Sequence, residues 1–355
     1  MKIGILTYHC AHNYGAVLQC YALQSYLRSL GHEVFVVDYK PSYFHYGLFV
    51  WYKWLSANPV KLINKLLFQT KTFFVQLKRF AAFEEFIKKY IAPQSMDFAS
   101  NESDIDCFIF GSDQIWRQNG ESFDPIFWGD FNAAKGAKLV SYAASMGKNS
   151  LTIRQQNQIQ KWLECFDLIA VRESSLKDLL SPLIKKDIQI VVDPTLLLCS
   201  NNWDRIAKCP NYSKPYILIY QVIENPVTLR LANEAAKELN AEIIELAAKI
   251  DDRKSNHKMV YDASPNEFIG WVAHASFVVT TSFHGTAFSL IYQRPFISIK
   301  QHRLSDLRIQ SILETFALPE RFVDCENGNW KKSYVERPKI DFSAVKYSIQ
   351  YLESL

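Results

Sequence analysis

The chain opens on a short apolar run, Lys2 to Thr7, that gives way to a polar turn from Tyr8 to Gly15. Apolar residues then recur at helical spacing (Val17, Leu18, Tyr21, Ala22, Leu23, Leu27, Leu30) as far as Gly31, a residue suited to ending a helix. A second β-branched run, Glu33 to Tyr39, follows. This pattern predicts strand, helix and strand, the unit of a right-handed crossover between parallel strands. Further apolar runs at Cys107 to Phe110, Leu139 to Ala143, Leu168 to Val171 and Ile188 to Val192 alternate with helical segments such as Arg154 to Phe166 and Ser174 to Leu180.

The polar stretch Cys199 to Pro215 reads as a linker. A second series begins beyond it: strand Tyr216 to Tyr220, helix Val227 to Leu239, strand Glu242 to Leu246, a helix, strand Phe277 to Thr280, a helix, and strand Phe296 to Ile299. Ser264 as N-cap, Pro265 in the first position and Glu267 in the third mark the start of the helix before Phe277. The expected fold is α/β, with two doubly wound Rossmann-like domains facing across a cleft. The first covers 1–200 with a basic, aromatic helical insertion at 45–95, the second covers 201–335, and a helix at 342–355 is placed to return to the first.

Composition narrows the class. With 355 residues, 48% of them hydrophobic, the chain has enough apolar surface for two cores, which excludes disorder. No apolar stretch approaches the roughly 20 residues of a membrane-spanning helix. The N-terminus reads as a strand rather than a secretory signal, which predicts a cytoplasmic protein. Seven cysteines, odd in number and without a C-x-x-C pair, are expected as free buried thiols. Cys10 lies near His9 and His12, but the spacing fits no zinc framework, and no metal is expected. The net charge of +4 is uneven. Between Trp51 and Tyr90 eight Lys or Arg stand against two acids, a local excess without any nucleic-acid-binding motif, so nucleic acid is not an expected partner. Two readings of this stretch stand side by side: a helical hairpin completing the first core with its lysines in water, and a basic surface resting on anionic membrane.

Four polar clusters follow strands directly, where doubly wound folds bind ligands. They are His12-Asn13-Tyr14-Gly15, Gly111-Ser112-Asp113-Gln114-Ile115-Trp116, Arg172-Glu173, and Thr281-Ser282-Phe283-His284-Gly285-Thr286. Each has a structural explanation as turn glycine, N-cap or core aromatic. Together, read as opening helices with free backbone N–H groups, they point to a bound anion such as phosphate.

The same segments, with Leu18-Gln19-Cys20-Tyr21-Ala22-Leu23, Ser141-Tyr142-Ala143-Ala144-Ser145 and Val192-Asp193-Pro194-Thr195, occur in an order that resembles the polysaccharide pyruvyl transferase family over nearly the whole chain. The resemblance implies a glycosyltransferase-B type fold and a reaction without a cofactor. In that reaction phosphoenolpyruvate gives its three-carbon unit to two hydroxyls of a sugar, or of a lipid-linked oligosaccharide, as a pyruvate ketal. It further implies donor contacts from an arginine before Asp or Glu, here Arg172, and from an Arg-x-His box whose histidine is His284. Ser282 stands where that box has arginine. Lys300, His302 and Arg303, just past the next strand, are candidates to supply the missing charge.

The implied reaction needs an acid at the enol carbon and a base for the attacking hydroxyls. His284 is the candidate acid, because histidine exchanges protons near neutral pH. Asp113 is the candidate base, with Ser112 and Gln114 as sugar contacts. Asn13, Tyr14, Gly15, Phe283, Gly285 and Thr286 complete the expected binding positions. Two other functions fit the same fold: a nucleotide-sugar glycosyltransferase, and a saccharide-binding relative that has lost its donor site.

Overall fold

The computed structural model describes residues 1–43, 59–120, 122–147, 150–251, 255–324 and 340–355. The start of the basic aromatic stretch, Trp51 to Asn58, and Cys325 lie outside the described residues.

Six strands form the first sheet: β1 (Lys2–Leu6), β2 (Glu33–Val36), β3 (Cys107–Phe110), β4 (Lys138–Ala144), β5 (Leu168–Val171) and β6 (Ile188–Ile190). Their order is β2-β1-β3-β4-β5-β6, and every neighbouring pair is parallel. A second parallel sheet has the order β12-β11-β10-β7-β8-β9. Its strands are β7 (Tyr216–Gln221), β8 (Glu242–Ala247), β9 (Lys258–Val260), β10 (Phe277–Thr280), β11 (Phe296–Ile299) and β12 (Phe322–Val323). Helices cover both sheets, so the central strands are buried on both faces, which is why β3 and β7 read as unbroken apolar runs. Strand order reverses between β1 and β3 in one sheet and between β7 and β10 in the other. Side chains beyond the carboxyl ends of these strands therefore meet at the domain junction.

Local chemistry sets the elements that reach that junction. Helix α1 (Tyr14–Ser29) starts where Asn13 Oδ1 accepts from Gly15 N at 2.9 Å, and it ends before Gly31, which turns through φ 86°. The Ser264 and Glu267 capping box is formed at the head of the helix Pro265–His274. Two expectations change. The strand after Gly31 stops at Val36, three residues short, because Val37 bridges instead to Gln94. The cluster after β3 opens no helix: Asp113 takes a left-handed backbone, φ 75°, and Asp113 Oδ1 accepts from the N–H of Gln114, so the chain turns back on itself. The edge strands β9 and β12 escaped the sequence pattern because they span three and two residues.

The basic aromatic stretch is not a hairpin over its described part. It is one helix, α2 (Pro59–Phe86), continued by a wider turn to Ile91. Phe83, Phe86, Ile87 and Ile91 bury themselves in the first domain, whereas the buried Arg79 crosses to the second. Its guanidinium donates to the carbonyls of Ala247 (2.7 Å), Tyr261 (2.9 Å) and Ala248 (3.0 Å). The final helix, α3 by contrast with the long insertion only eleven residues (Ser343–Glu353), packs on the first sheet: Tyr351 donates to the Ser141 carbonyl at 2.8 Å, and Ser348 Oγ accepts from Val192 N at 2.9 Å. Cys10, Cys20 and Cys107 are buried as expected, but Cys165, Cys199 and Cys209 are exposed, since they fall on loops and helix ends at the surface. Among the described residues no helix is long and apolar enough to cross a membrane.

Arg79→Met should remove three charge-assisted hydrogen bonds across the domain junction and leave their carbonyls unpaired. A loss of about 3 kcal/mol or more is expected, read as a lower urea midpoint with the secondary structure intact.

Candidate active site at the domain junction

The centre of the junction is a carboxylate. Asp193 is fully buried; its Oδ1 accepts from the N–H of Thr195 (3.0 Å) and the hydroxyl of Thr195 (2.8 Å), and its Oδ2 accepts from Ser112 Oγ (3.2 Å) and Arg172 Nη1 (2.8 Å). His284 Nε2, from the second domain, lies 3.7 Å from the same Oδ2. Burial works to raise the Asp193 pKa, but His284, Arg172 and the Thr195 N–H outweigh it and hold the carboxyl well below the usual carboxylate range.

Arg172 is held on three sides. Beyond Asp193, its Nε lies 3.4 Å from Glu173 Oε1, and its guanidinium sits 4.7 Å over the ring of Phe283. Glu173 is fixed in turn by the Ser145 hydroxyl at 2.7 Å. Burial opposes the arginine's charge, yet the two carboxylates prevail and raise its pKa. Its Nη2 is buried without a hydrogen-bond partner, as is Nε2 of His284.

His284 comes to the junction on the first turn of a helix, Phe283–Ile291, whose N-cap Ser282 accepts from Gly285 N at 3.4 Å. The imidazole packs against Gly15 so closely that a Cβ there would stand 2.0 Å from Nδ1. Only glycine fits. Gly111 is required for a similar reason: its φ is 124°, and a Cβ would meet the Tyr142 carbonyl at 2.1 Å.

Two cavities flank this assembly. The larger, of about 760 Å³, is bordered by Asn13, Asp113, Gln114, Ser282, Phe283 and His284 among others. The smaller, of about 210 Å³, is bordered by Arg172, Asp193, Val192, Phe283 and Ile312. Arg308 borders both.

The other expected residues lie elsewhere. Tyr14 is buried between the domains, where its hydroxyl donates to the Ala263 carbonyl at 2.8 Å and its ring stacks on Phe268. Ser112, expected at a sugar, is fully buried and bonded to Asp193, so it borders neither cavity. Gly285 gives its N–H to Ser282 and leaves no room for a Cβ beside Thr280, while Thr286 is spent on the Ser282 carbonyl and on Ser298. None of the three cations expected to replace the missing arginine borders a cavity: Lys300 lies over Phe322, His302 lies 3.5 Å from Asp324, and Arg303 is exposed. Of the histidines beside Cys10, His9 pairs with Asp38 and His12 with Glu84.

Sequence reasoning missed Asp193 and Arg308. The first stood in a recognisable Asp-Pro-Thr box without a role. The second gives no signal, since one arginine in an amphipathic helix (Asp306–Thr315) reads as a solvated face.

Asp193 contributes stability that is present above its unfolded pKa, near 4, and is lost as pH falls through its lower folded value. Acid denaturation curves should therefore steepen below about pH 4, and Asp193→Asn should flatten that limb while lowering the midpoint at pH 7.

No curated protein matches the sequence significantly. Among solved structures, the UDP-GlcNAc 2-epimerase of Methanocaldococcus jannaschii aligns over 94% of this chain and 90% of its own, with 12% identity and a TM-score of 0.46. The UDP-GlcNAc 2-epimerase of Neisseria meningitidis aligns over the whole of both chains with 9% identity and a TM-score of 0.45. The glycosyltransferase SnogD of Streptomyces nogalater aligns over 99% and 93%, with 12% identity and a TM-score of 0.42. A sequence model of the polysaccharide pyruvyl transferases matches residues 13–303, the span that carries Asn13, Asp113, Arg172, Asp193 and His284, and the chain belongs to that family.

Proposed function

We propose that the protein transfers the pyruvyl unit of phosphoenolpyruvate to two hydroxyls of one sugar, in a surface polysaccharide or its lipid-linked precursor, with release of phosphate. One observation carries this reading beyond family membership. Arg172 and His284, from opposite domains, converge on the same carboxylate, and Arg172 keeps a second buried nitrogen, Nη2, without a hydrogen-bond partner among the described residues. A site built that way is short of an anion with acceptor oxygens.

In this reading the imidazolium of His284 gives its proton to the methylene carbon of the donor, and the adjacent carbon becomes cationic. One sugar hydroxyl adds to that carbon and passes its proton to Asp113. Departure of phosphate regenerates a cationic carbon, and the second hydroxyl closes the ketal. One of the two hydroxyl protons replaces the proton spent by His284, and the other leaves with phosphate. Asp193, 3.7 Å from Nε2, keeps the imidazole oriented. Gln114 and Asn13 border the larger cavity, and in this reading they contact the acceptor.

The acceptor class would also draw the protein to the inner face of a membrane. Exposed Leu67, Phe74 and Leu77 on α2, with Lys71 among them, support peripheral contact with anionic lipid.

Millimolar phosphoenolpyruvate should raise the melting midpoint, whereas a rise with UDP-sugars alone would replace this reading with a glycosyltransferase. His284→Asn should lower phosphate release by about 10²–10⁴-fold while the variant still folds, with a melting midpoint lowered by the lost partner of Asp193; turnover near that of the parent would remove His284 from the chemistry.

A further inference from the structure

Among the described residues Arg308 has no hydrogen bond to justify its position. Its helix turns Ile309, Ile312 and Leu313 into the core, and its Nε is buried without a partner among the described residues. It borders both cavities, whereas Arg172 borders only the smaller and His284 only the larger. Burial and the like charge of Arg172 push its pKa down, and the carboxylates of Glu173, Asp113 and Asp193 offset that only in part. Two guanidiniums thus share one junction, each with a buried nitrogen unpaired. Such an arrangement is costly in the empty protein. It becomes favourable when an anion with several oxygens accepts from both forks.

We infer that Arg308 is an anion-binding residue of the donor site, which closes on the anionic end of the donor together with Arg172. The inference rests on the proposal that the donor is phosphoenolpyruvate. It explains how the site manages with an uncharged residue at 282: the Ser282 hydroxyl is used to cap its helix, and the charge arrives from the helix beyond the next strand. It also differs from the sequence expectation, which placed that charge on Lys300, His302 or Arg303.

Calorimetry with phosphoenolpyruvate and with inorganic phosphate on the wild type, Arg308→Gln and Arg303→Ala tests it. Arg308→Gln is expected to weaken phosphoenolpyruvate binding roughly 10- to 100-fold and to leave the ligand-free melting midpoint unchanged or higher, because it removes a repulsion and no hydrogen bond. Arg303→Ala is expected to bind as the wild type does. Equal affinity in the wild type and Arg308→Gln overturns the inference while leaving the donor proposal standing. A wild type that binds neither compound overturns the donor proposal, and this inference with it. Should the Gln variant fail to fold, the wild type decides: slower modification of Arg308 by phenylglyoxal in the presence of phosphoenolpyruvate, read by peptide mass, supports the assignment, and an unchanged rate overturns it.

Discussion

A single buried carboxylate organises the junction of this molecule. Asp193 gathers a hydroxyl from the loop after β3, a guanidinium from the end of β5, the turn that follows β6, and an imidazole from the opposite domain. An isolated charge at that depth would cost several kcal/mol, so each of these groups must arrive at its place for the fold to close. The demand propagates outward. For His284 to come within 3.7 Å of the carboxylate, its ring must pass over α1 where no Cβ stands, which accounts for Gly15. For Ser112 to reach Asp193, the chain after β3 must leave the sheet through a backbone that only Gly111 accepts comfortably.

The alternation of apolar runs and helical periodicity made the two parallel sheets legible in the sequence, because strands covered on both faces carry no polar position to blur them. Cluster positions were legible too, since Asp113, Arg172 and His284 lie just beyond strand ends and Asn13 caps the helix that follows β1. What was hidden is how those clusters spend their hydrogen bonds. A serine beside a histidine looks the same in sequence whether it faces a ligand or caps its own helix, as Ser282 does. Asp113 had the appearance of an N-cap, but the left-handed turn at that residue turns the chain away from a helix. Long-range partners leave no local pattern at all: Tyr14 reaching Ala263, Arg79 reaching Ala247 and Arg308 bordering the cavities all depend on the packing of one domain against the other.

The two arginines at the site illustrate different ways to hold a charge. Arg172 is anchored by Asp193, Glu173 and the face of Phe283, which fixes its plane before anything binds. Preorganisation of this kind lets the remaining N–H groups act without further loss of side-chain freedom. Arg308 has no such anchor and is opposed by its neighbour. One is positioned by the fold, and the other stands at both cavities with its buried Nε unpaired among the described residues.

Closure of the cleft is built in rather than left to a ligand. Tyr14 stacks on Phe268 and bonds to Ala263, Arg79 binds three carbonyls of the second domain, and Gly15 lies against His284. These contacts join α1 and α2 of the first domain to the second along one side of the junction. Opening the domains like a book would break several of them at once, at a cost well above thermal energy. Small ligands therefore gain more by entering the cavities that already exist than by prising the domains apart. His284, the Asp193 carboxylate behind it and the residues that border the larger cavity then keep their relative places when a small molecule enters.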